Sequence, residues 1–161
     1  SGVIPRAAAL AAQEHGDARK AIDMLRYAGE IAQANDAEIV REEFITDARE
    51  KAETDRFREL IRGATPHSRY ALQALTHLSL NDSAQDAFRT TAIYDVYERL
   101  CSEVGSDTLS LRRVRDLLKE HAFLDVLEQS RHSGGSAEGN FTKHRLLEDP
   151  EVVQDVLVNI D

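Results

Sequence analysis

Along the first third of the chain, apolar residues recur every three or four positions. Val3 to Glu14 (VIPRAAALAAQE) is dense in alanine, the strongest helix former, and predicts a first helix. His15-Gly16 breaks the pattern and Asp17 is a candidate N-cap for a second helix reaching Ala34. Its stripe is Ala18, Ala21, Ile22, Leu25, Ala28 and Ile31/Ala32. A third pattern, about Val40 to Arg62, carries Phe44, Ile45, Ala48, Ala52, Phe57, Leu60 and Ile61. Its phase shifts near Ala52 to Asp55, which admits two helices or one bent one.

Strand-like spacing enters only after this point, so a domain boundary is expected between Ala52 and Thr65. Thr65-Pro66 opens a helix, with Thr as N-cap and Pro at the first helical position. A polar loop (Asn81 to Asp86) leads to a short strand at Phe88-Arg89-Thr90, and Thr91 is read as the cap of the next helix, through Val104. Gly105-Ser106-Asp107 is a turn. Ser110 caps a helix from Leu111 to about Ala122, with Leu111, Val114, Leu117 and Leu118 inward. Phe123 to Gln129 alternates like a strand, His132 to Asn140 is a tip with three glycines, and Phe141 to Leu147 returns as a strand. Pro150 begins a last helix. Two helices joined by a tight turn, followed at once by a hairpin, are the elements of a winged helix-turn-helix.

Length and composition narrow the function classes. A chain of 161 residues allows one ordinary domain or two small ones. No apolar run reaches the ~20 residues of a membrane span and no signal peptide is visible, so a soluble, cytoplasmic protein without a membrane partner is expected. One cysteine, Cys101, excludes an intrachain disulfide and a Cys-based zinc site. The net charge of −9 argues against a generic nucleic-acid surface. The cations are lopsided, with 20 Lys+Arg of which only Lys20, Lys51, Lys119 and Lys143 are lysine. An acidic surface that prefers Arg to Lys suits a protein living at high salt.

Charge is also unevenly placed. From Ser110 to Leu147 seven Lys/Arg face five Asp/Glu, whereas the whole chain is strongly acidic. Arg112, Arg115 and Lys119 share one face of the Leu111–Ala122 helix, with Arg113 beside it. As a recognition helix it would set Arg112, Arg113 and Arg115 against base edges, with Ser110 and Lys119 on phosphates. As a plain surface helix it would be a solvated mixed-charge face, since Asp116 and Glu120 lie on it too. Arg89 and Thr90 are candidates for backbone contacts. Arg131, His132, Lys143 and Arg145 flank the glycine-rich tip, which suits either a minor-groove wing or a flexible loop.

Catalytic chemistry is not visible: there is no GxxxxGK[ST] phosphate loop, no GxSxG and no HExxH. The six histidines show no metal-ligand spacing, so surface or core-edge positions and no metal site are expected. Gly16-Asp17-Ala18-Arg19-Lys20 reads either as a capped helix start with surface cations or as a phosphate-facing turn.

These segments resemble one family. AALAAQEHGDARKAIDMLRYAGEIA (Ala8 to Ala32) is similar to the lid of archaeal origin-recognition/cell-division-cycle type AAA+ replication initiators. TPHSRYALQAL (Thr65 to Leu75), RTTAIYDVYERLC (Arg89 to Cys101), LSLRRVRDLLKE (Leu109 to Glu120) and TKHRLL (Thr142 to Leu147) resemble, in order, their C-terminal winged helix. The resemblance implies a mainly α chain: a partial lid over 1–54, then a winged-helix DNA-binding domain with a small β-hairpin wing over 55–161. It implies recognition of double-stranded origin DNA and support for recruiting the replicative helicase, and it makes Arg19, in GDAR, a nucleotide sensor. The ATPase core precedes the lid in the family, so this chain reads as a C-terminal fragment. Neither catalysis nor a cofactor is expected of it, whereas the full-length protein would use ATP/ADP and Mg. Two positions depart from the family: Asp125 stands where glycine is usual in the turn into the wing, and Glu138 makes the tip less basic. The alternative is a winged-helix interaction module that binds a helicase or other partner rather than DNA. Phosphate-driven affinity falls steeply with salt. A DNA binder working in molar salt is therefore expected to lean on base contacts, shape and apolar burial.

Overall fold

The computed structural model describes residues 2–13 and 18–160. It divides into two compact units, Ser1–Glu59 and Leu60–Asp161. The Asp17 cap and the His15-Gly16 break lie outside the described residues.

The first unit is helical. It holds α1 (Val3–Gln13), α2 (Ala18–Ala34) and most of α3 (Glu42–Arg62). Its buried centre is Ala7, Met24, Ala28, Ala32, Phe44, Ile45 and Ala48. Four of these seven are alanine, so the helix backbones approach closely and a few larger side chains fill the remainder. The Tyr27 hydroxyl donates to Asp55 at 3.0 Å. The phase shift of the third pattern falls inside one continuous helix. Ala48 and Phe57 are both buried, and nine residues of helix turn through about 900°, so they lie on opposite sides. The helix buries a different side in each half.

The second unit has eight elements: α4 (Pro66–Asn81), β1 (Phe88–Arg89), α5 (Thr90–Val104), α6 (Leu111–Phe123), β2 (Leu127–Ser133), the one-turn α7 (Gly135–Glu138), β3 (Asn140–Leu146) and α8 (Pro150–Val158). Thr65 caps α4 by accepting from the Ser68 N–H, and Pro66 holds the first helical position. Leu72, Leu75, Ile93, Tyr97, Val114 and Leu118 are fully buried between α4, α5 and α6. The three strands form one antiparallel sheet in the order β1-β3-β2. The fold is therefore the mainly helical one expected, and β1 adds a third strand to the hairpin.

Three local readings are corrected. Thr91 is not a cap: α5 begins at Thr90, with Arg89 in the cap position and no side-chain cap bond. Phe123 to Gln129 is not a strand throughout. Helix α6 runs on through Phe123, which is exposed, and β2 begins at Leu127. Val126 and Leu127 are consecutive buried residues, a mark of a turn entering a sheet rather than of alternation. The glycine tip is not a plain loop. It contains α7, closed by Gly134 N–H to the Gly139 carbonyl at 2.9 Å and Gly139 N–H to the Gly135 carbonyl at 3.2 Å.

The α6–β2 turn depends on Asp125, whose φ is +57°. Left-handed backbone costs an L-residue about 1–2 kcal/mol, less for Asp than for most, and glycine nothing sterically. Asp125→Gly is expected to raise stability by about 0.5–1 kcal/mol after glycine's greater unfolded-state entropy is counted. A urea denaturation midpoint that fell would show that the carboxylate holds the turn.

Candidate nucleic-acid interface

The start of α6 is held from both sides. Ser110 caps it, its hydroxyl accepting the Arg113 N–H at 3.3 Å. Just before it, Tyr94 donates to the Leu109 carbonyl at 2.8 Å and the Tyr97 hydroxyl accepts the Leu109 N–H at 3.1 Å. Burial pushes the Tyr97 hydroxyl up to about 12, so it stays protonated. It also lies 2.7 Å from His67 Nδ1.

The inward face of α6 is Val114, Leu117, Leu118 and His121. Arg112, Arg113, Arg115 and Lys119 are exposed. Among the described residues none of the four is ion-paired, although Asp116 and Glu120 share the helix. Paired strands follow α6 directly. The arginine face thus stands free beside a hairpin.

Between that face, the start of α5 and the wing lies an open cleft of about 720 Å³. Arg89, Thr90, Arg115, Arg131 and His132 line it together. Ser110, Arg112, Arg113, Lys119, Lys143 and Arg145 are not among its lining residues. Thr91, Ser133, Asn140, Phe141 and Thr142, which the sequence did not single out as site residues, complete the wall, as does Glu138. A signal for Phe141 was present: it is the register partner of His132 across the hairpin, and the two rings stack at 5.4 Å.

Four of the candidates meet other side chains of the protein, among them His132, whose Nε2 lies 2.8 Å from the Ser130 hydroxyl. The Thr90 side chain is buried and its hydroxyl is spent on His144. Arg145 lies opposite Glu128 in the β2–β3 register and pairs with it. Arg89 pairs with Glu138 at 2.9 Å. The expectation of surface or core-edge histidines also fails twice, because His121 and His144 are buried. His121 Nε2 lies 3.0 Å from the Ser68 carbonyl and ties α6 to α4. His144 on β3 meets the Thr90 hydroxyl at 2.8 Å through Nε2 and the Gln129 amide at 3.3 Å through Nδ1. With Gln129 donating to Nδ1, the ring proton sits on Nε2 and goes to Thr90. This bond fastens the wing to the first turn of α5 and shapes the cleft. Burial, then the nearby Arg115 charge, lowers His144 from 6.5 to about 4, so it is neutral near pH 7.

No group of three or more potential metal-ligating side chains occurs among the described residues. No helix among them is long and apolar enough to cross a membrane.

The three-helix core with its strand-paired hairpin defines a winged helix. Comparison with known proteins places it further. Residues 59–156 match the family described as CDC6, C terminal winged helix domain, and residues 1–50 match the Cdc6 AAA+ ATPase-type lid domain. The ORC1-type DNA replication protein 4 of Halobacterium salinarum is 53% identical over 97% of this chain and 38% of its own length. The ORC1-type DNA replication protein 9 of Haloarcula marismortui is 50% identical over 94% of this chain and 37% of its own length. A solved structure of the Aeropyrum pernix ORC1 protein in complex with DNA superposes with a TM-score of 0.85 at 35% identity, over 97% of this chain and 40% of that one. The chain belongs to the Cdc6 family and carries its lid and C-terminal winged-helix domains. It spans a little over a third of the length of the curated relatives it matches.

Proposed function

We propose that the winged helix, residues 55–161, binds double-stranded origin DNA during replication initiation, that the lid occupies 1–54, and that the whole protein supports recruitment of the replicative helicase. The observation that carries this reading is the free Arg112/Arg113/Arg115/Lys119 face of α6 beside a cleft with three guanidiniums, Arg89, Arg115 and Arg131. Helix α6 would enter the major groove with Arg112, Arg113 and Arg115 at base edges, where guanidinium suits guanine. Ser110 and Lys119 would sit on phosphates; the Ser110 hydroxyl accepts in its cap and keeps its proton free to donate. Arg131, His132 and Lys143 would serve the wing, with Arg145 restrained by Glu128. The related Aeropyrum pernix protein, solved with DNA, supports the same use of the fold.

Nucleotide and magnesium would belong to the whole protein. This chain offers one candidate group, Arg19 in the first turn of α2, and its sequence has no phosphate loop, so it does not build a nucleotide site by itself and hydrolysis is not ascribed to it. A nucleotide bound by the whole protein would present phosphate charge to which the Arg19 guanidinium could respond.

The net charge of −9 favours a second reading, in which the winged helix docks a helicase subunit instead of DNA. Gel retardation on an origin-repeat duplex and a scrambled duplex, over a range of salt, separates the two. Duplex binding is expected to favour the origin repeat by about 1–3 kcal/mol per specific base pair read and to fall off shallowly with salt. Absence of any shifted band, with capture of the helicase, would select the second reading.

A further inference from the structure

We propose that Glu138, at the tip of the wing, is an internal stand-in for a DNA phosphate: it holds Arg89 in the free protein and yields it to the duplex. This rests on duplex binding at the cleft and names how that binding is regulated.

Three contacts carry the proposal. Glu138 Oε2 accepts from Arg89 Nη2 at 2.9 Å, between residues 49 apart in the chain. The Arg89 guanidinium lies 3.8 Å from the centroid of the Phe141 ring, a cation–π contact that fixes its position on the floor of the cleft. His132 stacks on the same ring with 10° between planes. The tip is therefore folded back onto β1 through one carboxylate. Among the described residues lining the cleft, Glu138 is the only acid, opposite Arg89, Arg115 and Arg131. A lone acid in a cationic nucleic-acid cleft works against binding, and paired with Arg89 it must be displaced before a phosphate can take the guanidinium.

The chemistry of the exchange is balanced. A phosphate oxygen and a carboxylate oxygen offer a guanidinium the same charge-assisted hydrogen bond. Docking a duplex replaces Arg89 N–H···O of Glu138 with Arg89 N–H···O of phosphate, and no covalent bond changes. The side chains of Arg89 and Glu138 are 43% and 56% exposed, so water and a duplex both reach them and the pair is weak enough to open.

Salt dependence follows. Neutralising a phosphate releases condensed cations, whereas opening an internal ion pair frees a carboxylate that attracts them. The two terms oppose. The latch competes most at low salt, where phosphate attraction is greatest, and fades as the Debye length shrinks to about 3 Å near 1 M. Glu138 flattens the salt dependence of DNA binding, a useful property in a strongly acidic chain.

The test compares Glu138→Gln, Arg89→Gln and the unaltered chain, first without DNA. At low salt, amide exchange at Gly134 and Gly139, whose N–H groups close the tip, is expected to quicken in both variants, because either one opens the latch. Near 1 M salt the three proteins are expected to converge. With origin duplex at about 0.1 M salt, Glu138→Gln is expected to bind roughly three- to tenfold tighter and Arg89→Gln more weakly. The slope of log affinity against log salt should steepen by up to about one for Glu138→Gln. General loss of the acid's charge would tighten binding but leave tip exchange unchanged, and that result overturns the latch. So does an unaltered salt slope in Glu138→Gln while the unaltered chain binds. If no variant shifts the duplex, the proposal falls together with the duplex reading.

Discussion

Arg115→Ala is expected to weaken binding to an origin duplex by about 1–3 kcal/mol, roughly 5- to 150-fold, and to weaken scrambled-duplex binding less. Arg115 lies on the exposed face of α6, has no ion-pair partner among the described residues and lines the cleft. A guanidinium that reads a base is lost mainly on the matching sequence, whereas one that only neutralises phosphate is lost equally on all. Arg112→Ala should behave similarly if the N-terminal turns of α6 enter the groove. Stability should change little, because Arg115 is a surface residue. Affinity unchanged by both substitutions, on a duplex the parent protein binds, would remove α6 from the interface.

Acidification should destabilise the winged helix before most carboxylates titrate. His144 falls from 6.5 to about 4 in the folded state, with burial the first cause and Arg115 the second. A group whose folded pKa is depressed contributes stability that is present above the unfolded value and is lost as pH falls through the window down to the folded value. For His144 that window runs from 6.5 to about 4. At 1.36 kcal/mol per unit the loss approaches about 3 kcal/mol at the acid end, and about 2 kcal/mol by pH 5. Burial lowers His121 too, so it adds in the same direction. Protonating acids on a chain of net charge −9 relieves repulsion and works the other way. A fall in the urea midpoint between pH 7 and pH 5 therefore reports the buried bases. His144→Gln should flatten this profile, and Arg115→Ala should soften it by removing one cause of the depressed pKa. A pH profile that His144→Gln leaves unchanged between pH 7 and pH 5 would mean His144 is not buried neutral. The same histidine fixes the wing to α5, so DNA affinity is expected to decline in the same window.

Much of the fold was legible because caps and breakers act locally. Thr65-Pro66, Gly105, Ser110 and Pro150 each mark a helix boundary through their own backbone and side-chain chemistry, and the structure uses each at or next to a boundary. Errors arose where the deciding partner is distant in sequence. Phe123 to Gln129 alternates like a strand, yet the end of α6 claims Phe123 and the positive φ of Asp125 turns the chain before β2 begins. Phe57 falls out of phase with Ala48, yet no break follows, since a helix can bury opposite sides in its two halves.

Helical periodicity, capping residues and the ordering of elements set the mainly helical fold and put Arg112, Arg115 and Lys119 on one face, because each depends on residues within a few positions. Which cations remain free was decided by tertiary structure alone. Arg89 meets Glu138 across 49 residues, Arg145 meets Glu128 across 17, and Thr90 is spent on His144 across 54. Charge and hydrogen-bonding capacity are written in the residue types, but whether a partner satisfies them depends on distances that only the folded chain sets.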